Sequence, residues 1–418
     1  MKHRLVVIGS SIEFIRILKL ARERGIYTIC CDGYPDGVAK PYADKSYDIN
    51  IRDVDAVAKM CIEEKADGII GSFSDLIFEQ ITKIADRAGL KWYAKPEMLK
   101  YYREKNYTKK ILSDHGCYVP KNTILKEVFS EKDLAGFTYP LVLKPVNGYG
   151  SKGIFIAHNF DEIQNDYASV NRLGTGTIDA IEVEEYSHGR EYNMMSWVLD
   201  GKVYPISIAD REKDPQKGNE IPHLNRVCYP AKNIRNIYQE AVGVLQCFAD
   251  AVQQKDGPLS MQFFYNKEHG VEVCEIAGRM FGYEHEMVTL CSGLDIEKVL
   301  LDYVYDEKAL HDEISSHSIF FDKTVAGLYI NGMQGEKIVN MDSLYELAKD
   351  PHVIESDIFY RNGETIDNYG SKPYLVRYYI TGKDRNEVDE VTRYFFAHMK
   401  VTGENGRDIL IRPVFEED

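Results

Sequence analysis

Residues 140–154 read Pro-Leu-Val-Leu-Lys-Pro-Val-Asn-Gly-Tyr-Gly-Ser-Lys-Gly-Ile. Leu141 to Leu143 form the continuous apolar run of a core strand, Lys144 closes that run, and Pro145 removes a ladder donor. A lysine inside such a strand needs an anion to face. Gly148, Gly150 and Gly153, with Ser151 and Lys152 between them, supply a loop whose backbone amides can close on phosphate oxygens. The spelling is that of a dinucleotide fingerprint, but a fingerprint opens a helix, and Ile154-Phe-Ile-Ala157 reads as another strand. Strand, glycine loop, strand is a hairpin flap of the kind that lies over a nucleotide's phosphates; an ordinary hairpin tip has the same spelling.

The 418-residue chain is long enough for two to four domains with sizeable cores. It carries 51 Lys and Arg against 66 Asp and Glu, a net charge of −15, with no basic run, which argues against nucleic-acid binding and for small-molecule work. No apolar stretch approaches a membrane span and the N-terminus leads straight into a strand, so a soluble, cytoplasmic protein is expected. The eight cysteines lack C-x-x-C spacing and sit mostly in apolar segments, the pattern of reduced core residues.

Upstream, residues 5–8 and 27–31 read as strands, with a helix between them whose apolar face is Ile12, Ile15, Leu18 and Ala21. Helices over 54–64 and 76–88 alternate with strands at 68–70 and 91–93, giving an open parallel sheet of about 95 residues. The first turn, Gly9-Ser-Ser-Ile-Glu-Phe14, lacks the later glycines of the NAD fingerprint, which discounts a dehydrogenase. The turn Gly71-Ser-Phe-Ser-Asp75 reads as a substrate loop or as a plain helix N-cap. A helix over 105–115 carries Lys105, Lys109 and Lys110.

Downstream of the flap, a strand at 178–186 ends in the acidic run Glu182-Val-Glu-Glu-Tyr-Ser-His-Gly-Arg-Glu191, whose crowded carboxylates must find donors or point outward. Backbone groups at Glu185 and Tyr186 suit an adenine edge and Glu191 suits ribose hydroxyls; a solvated turn is the alternative. Strands at 192–199 and 202–209 precede a charged loop, Asp210-Arg-Glu-Lys-Asp214, and a helix over 234–252. Residues 259–265 and 271–276 form a hairpin. If Asn266 pairs with Val271, Gln262 lies directly opposite Glu275 and the two offer oxygen ligands to a divalent cation; a one-residue slip separates them onto opposite faces. Arg279, just past the strand, is placed to reach a transferred phosphoryl group, whereas Glu275 read alone fits a strand-end surface acid equally well. Arg211, Lys213, His223, Tyr283 and His285 lie in loops that suit a substrate.

In this order, the βα domain, lysine helix, lysine strand with glycine flap, acidic hinge, acidic hairpin and C-terminal cap resemble the ATP-grasp superfamily over nearly the whole chain. The layout is similar to glycinamide ribonucleotide synthetase and to the carbamoyl phosphate synthase large-subunit halves. The resemblance implies an α/β and α+β architecture: an N-terminal open parallel, Rossmann-like domain (1–95), a two-subdomain ATP-grasp domain (96–300, flap subdomain about 120–187) and a C-terminal α+β cap (301–418). It implies Lys105 and Lys144 on the α/β phosphates, the flap (Gly148, Gly150, Ser151, Gly153) over the triphosphate, and Glu184, Glu185, Tyr186 and Ser187 as the adenine hinge. Glu191 falls on the ribose and Phe264 lines the base pocket. Gln262 and Glu275 are the implied ligands of Mg2+ or Mn2+, and Arg279 and Lys144 the catalytic cations.

Two positions depart from the pattern. Gln262 stands where a carboxylate is usual, and Ala277 where Glu-x-Asn-x-Arg has its asparagine. The implied activity is ATP-dependent ligation of a small carboxylate to an amine through an acylphosphate, with a homodimer among the assemblies it allows and no membrane or nucleic-acid partner. The alternative is a nucleotide-binding protein without ligase turnover.

Overall fold

The computed structural model describes residues 2–146, 153–173, 180–214, 219, 222–367 and 372–415. The N-terminal sheet is parallel, in the order β3-β2-β1-β4, with β1 Arg4–Ile8, β2 Tyr27–Cys31, β3 Lys45–Tyr47 and β4 Gly68–Ile70. Its short β3 was not expected. The strand expected at 91–93 is absent: Trp92 donates its indole N–H to Thr82 and Tyr93 its hydroxyl to Gly278, so both rings are used as packing plugs. The buried stripe after β1 is Phe14, Ile17, Leu18 and Ala21, with Ile12 turned out.

The flap unit is a four-stranded sheet, β5-β8-β6-β7, built from β5 Asn122–Lys126, β6 Leu141–Pro145, β7 Phe155–Ala157 and β8 Ala180–Glu185. β6 and β7 pair antiparallel, Leu143 with Phe155, as a hairpin requires. The helix Phe160–Arg172 covers the face that buries Leu141, Leu143, Ile181 and Val183.

The third sheet has eight strands, in the order β13-β12-β9-β10-β11-β14-β17-β16. Its members are β9 Arg190–Leu199, β10 Lys202–Lys213, β11 Leu224–Tyr229, β12 Gly257–Asn266, β13 Gly270–Ala277, β14 Thr324–Ile330, β16 Val353–Ile358 and β17 Val376–Gly382. A small pair, β15 Ile338–Asn340 with β18 Thr402–Gly403, closes the far end. The boundary expected at 300/301 falls inside the helix Ile296–Tyr305, and the eight-stranded sheet runs continuously across it into the cap. The charged segment at 210–213, read as a loop, continues β10 instead. Alternation sends Asp210 and Glu212 to Arg385 of the helix Arg385–His398, both at 2.7 Å, and Arg211 and Lys213 to the other face.

One core runs from Leu5 and Val7 through Met287, Val299 and Leu301 to Trp197, Val227 and Tyr379, joining the N-terminal sheet to the large one. Among the described residues no helix is long and apolar enough to cross a membrane, and all eight cysteines are free.

Trp197 lies in this core with no exposed surface, and its indole N–H has no hydrogen-bond partner. Trp197→Ala is expected to cost about 3–5 kcal/mol, lowering the urea midpoint sharply. Trp197→Phe, which removes an unpaired donor while keeping an aromatic ring, should cost under about half of that.

Candidate functional site

The lysine strand and the acidic strand are neighbours, and their register explains the crowded carboxylates. Lys144 of β6 pairs with Glu182 of β8 and Val142 with Glu184, so Glu182, Glu184 and Lys144 share one face. Lys144 Nζ donates to Glu184 at 2.7 Å, and Lys109, from the helix Lys105–Asp114, bonds both Glu182 and Glu184. Burial works against the Lys144 charge, but Glu184 more than offsets it and the ammonium titrates above the ordinary lysine range. Burial likewise opposes ionisation of Glu184; the two lysines prevail and bring its carboxyl down to about 2. Glu185, one residue on, is on the opposite face with Val183 and accepts from the Thr138 amide at 2.9 Å.

The large sheet supplies the other wall. Gln262 of β12 lies opposite Glu275 of β13. The turn differs from the expected one: Asn266 pairs with Gly270, and a bulge between Gln262 and Phe263 absorbs Cys274 and restores the metal-pair register. Gln262 donates to Glu191 at 2.5 Å, and Glu191 is also paired with Arg211 at 2.7 Å and Lys213 at 2.5 Å. Arg279 is held by both oxygens of Asp75, at 2.8 and 2.7 Å. Ser74, the N-cap of the helix Asp75–Ala88, makes no side-chain cap bond, and the Asp75 carboxylate serves Arg279. Burial raises the Asp75 pKa, Arg279 lowers it, and the net result is an acid below its usual range.

These side chains line two adjoining cavities. The larger, about 370 Å³, is walled by six cations (Arg103, Lys105, Lys109, Lys144, Arg211, Arg279) against three carboxylates (Asp75, Glu275, Glu284), an anion-attracting balance inside a chain of net charge −15. The smaller, about 270 Å³, has apolar walls in Val142, Ile156, Phe264 and Val273, with Glu184, Tyr186, Ser187 and Glu191 at its edge. Lys144, Arg211, Gln262 and Cys274 border both.

Of the residues singled out in the sequence, Lys105, Lys144, Gln262, Glu275 and Arg279 meet in the larger cavity, and Glu184, Tyr186, Glu191 and Phe264 in the smaller. Of the backbone groups of Glu185 and Tyr186 expected to suit an adenine edge, the amide hydrogens are given to the Lys121 and Pro140 carbonyls, at 2.9 and 3.1 Å. Gly148, Gly150 and Ser151 lie outside the described residues. Gly153 has φ +74°, and a Cβ there would come within 2.8 Å of Leu173. Arg211, Lys213 and Tyr283 border the cavities; His223 stands near Asp214 at 3.7 Å, and His285 is fully buried. Lys109 was passed over, although its four-residue spacing from Lys105 puts both on one helix face. Phe73, Phe281 and Glu284 were also not singled out as site residues.

The donor set fits a magnesium-type ion: two side-chain oxygens on facing strands beside Lys144, the complement such an ion takes when phosphates and water complete its shell. Among the described residues no cluster of three or more His, Cys, Asp or Glu could hold a metal by itself.

No protein-family model matches the chain. It is 29% identical over 149 residues to an ATP-grasp enzyme, fsqD, of Aspergillus fumigatus, covering 34% of this chain and 24% of that protein. It is 22% identical over 278 residues to the L-arginine-specific L-amino acid ligase of Bacillus subtilis, covering 62% of this chain and 63% of that one. The chain spans 11% of a cyanophycin synthetase and 26% of a D-alanine–D-alanine ligase that it also matches. The crystal structure of an L-amino acid ligase from Bacillus licheniformis superposes with a TM-score of 0.79 at 19% identity, covering 96% of this chain and 98% of that one.

Because Glu184 titrates below its unfolded value, the stability it contributes is complete above pH 4.5 and is lost as the pH falls toward about 2. Lys144→Met should move that loss to higher pH, read as an earlier acid-unfolding limb and a raised Glu184 titration in carboxyl NMR. The chain resembles ATP-grasp ligases in sequence over part of its length and carries their fold nearly from end to end.

Proposed function

We propose that this chain is an ATP-dependent ligase that joins a small carboxylate to an amine. The observation that carries the reading is the convergence of Lys105, Lys109, Lys144 and Arg279 on one cavity that adjoins an apolar slot of base size. Cations at one end and flat apolar walls at the other are what a nucleoside triphosphate asks of a site. The ligase names of the sequence relatives supply the reaction class.

In this reading Val142, Ile156 and Phe264 clamp the base, and Lys144 and Lys105 hold the phosphates. Lys109 keeps Glu184 ionised beneath them. Arg279, fixed in orientation by Asp75, faces the γ-phosphoryl group. Gln262 and Glu275 would hold a divalent cation, which supplies neutralisation of phosphate oxygens when bound. A carboxylate oxygen of the acid attacks the γ-phosphorus and ADP leaves. The amine nitrogen then attacks the acyl carbon, phosphate departs with the carboxylate oxygen, and the amine gives up a proton. The protein contributes position and charge to both steps.

A second reading, nucleotide binding without turnover, draws on Gln262: its amide faces Glu191, and that acid is already neutralised by Arg211 and Lys213.

Incubation of the full chain with ATP, magnesium and a panel of amino acids and other small acids and amines is expected to release ADP and phosphate. Release of AMP would replace the acylphosphate route by an adenylate one. Saturable ATP binding with no nucleotide product across the panel would favour the second reading. Lys144→Ala should lower kcat/KM by about a hundredfold or more.

A further inference from the structure

His285 opens the helix His285–Ser292 and has no exposed surface. Three carboxylates enclose it: Glu297 lies 3.3 Å from Nε2, and Glu286 and Glu13 lie 3.4 and 3.9 Å from Nδ1. The face of the ring stacks on Phe73, with centroids 3.9 Å apart and planes 13° from parallel. Beyond the acids, Arg377 approaches Glu286 and Glu355, both at 3.5 Å, and Arg16 approaches Glu297 at 3.7 Å. Burial opposes a charge on the ring, but Glu286, Glu297 and Glu13 outweigh it and raise the imidazolium pKa to about 9. Burial dominates at Glu13, whose carboxyl moves up to about 7.

Two non-glycine residues beside this cage have left-handed backbones, Phe73 at φ +68° and Tyr283 at φ +55°, and both line the larger cavity. Bulky side chains stay in that region only where their surroundings over-determine them, and such strain gathers at functional sites. Here the restraints are explicit. Glu13 accepts the Tyr283 N–H at 2.7 Å, and the Tyr283 carbonyl accepts the Tyr329 and Tyr379 hydroxyls at 2.6 and 2.7 Å. Phe73 bridges to Phe281. Between them, a Cβ on Gly282 would come within 2.8 Å of the Glu13 carboxylate and 2.9 Å of the Phe73 carbonyl. The loop after β4 and the loop after β13 are thus locked to each other around one charged ring.

We propose that His285 is a positioning residue: caged by Glu13, Glu286 and Glu297 and stacked on Phe73, it holds the left-handed pair Phe73 and Tyr283 as the wall that orients the carboxylate substrate. The substrate rests on the ligase reading above; the clamp does not. With its folded pKa raised, the imidazolium supports the wall fully below pH 6.5 and releases it as the pH rises through about 9.

The test compares wild type, His285→Asn and the milder Glu13→Gln as full chains. Hydrogen exchange should quicken by about tenfold in peptides spanning 71–75 and 281–285 and stay unchanged in 141–145. Calorimetry with magnesium and the non-hydrolysable analogue AMP-PNP should give a Kd within about twofold of wild type, while KM for the best acid of the panel rises by about tenfold, more than kcat falls. In wild type that KM should climb above pH 9 with no matching change in AMP-PNP affinity. Unchanged exchange at 281–285, or faster exchange everywhere with parallel loss of AMP-PNP binding, would overturn the proposal. If His285→Asn does not fold, Glu13→Gln decides by the same readouts. If no acid turns over, the ligase reading falls and the exchange comparison alone decides the clamp.

Discussion

The structure depends on a buried charge that must be answered. Lys144 lies buried on the cavity face of the flap sheet, where an unpaired ammonium is prohibitive, and Glu184 answers it from the neighbouring strand while Lys109 answers the surplus acid from a helix. This triad joins the lysine helix to the flap strands and sets the face on which the cavities open. Removing any one member leaves a buried charge uncompensated, so the arrangement specifies geometry more than it adds stability.

From that junction the polar groups run across the large sheet as a chain of mutual obligations. Glu275 faces Gln262, Gln262 donates to Glu191, Glu191 holds Arg211, and Arg211 approaches Glu284 at 3.4 Å. Glu284 is satisfied in turn by Asn193 at 2.8 Å and Tyr229 at 3.1 Å. Gln262, Glu275, Glu191 and Arg211 are placed by strand alternation and fixed by their neighbours, and Glu284 closes the run from the N-cap of the helix His285–Ser292, so most of the site is pre-organised on rigid elements.

Much of this was legible because it broke a local rule. A lysine closing an apolar run, acids crowding one strand end and glycines between two strands are local conflicts that mark function. What stayed hidden had ordinary local spelling. Residues 210–213 are charged throughout, and only the partners on both faces, Arg385 on one and Glu191 on the other, make them a strand. Lys91-Trp-Tyr93 has strand-forming residues whose rings are claimed by Thr82 and Gly278. Lys109 looked like one more surface lysine until two glutamates on a distant strand were brought to it. The cage around His285 joins residues 13, 285, 286 and 297, a separation that no spacing rule spans.

The bulge at Cys274 separates the hairpin into two independently phased halves. Between turn and bulge the ladder counts from Asn266 and Gly270; beyond it, from Gln262 and Glu275. Side-chain parity at the cavity is therefore insulated from parity at the turn, and the outer hairpin can change its connection over evolutionary time without reversing Glu275. Without the bulge, the register counted from Asn266 and Gly270 would set Cys274 opposite Gln262 and Glu275 opposite Met261, turning the acid away from the cavity while leaving every strand paired.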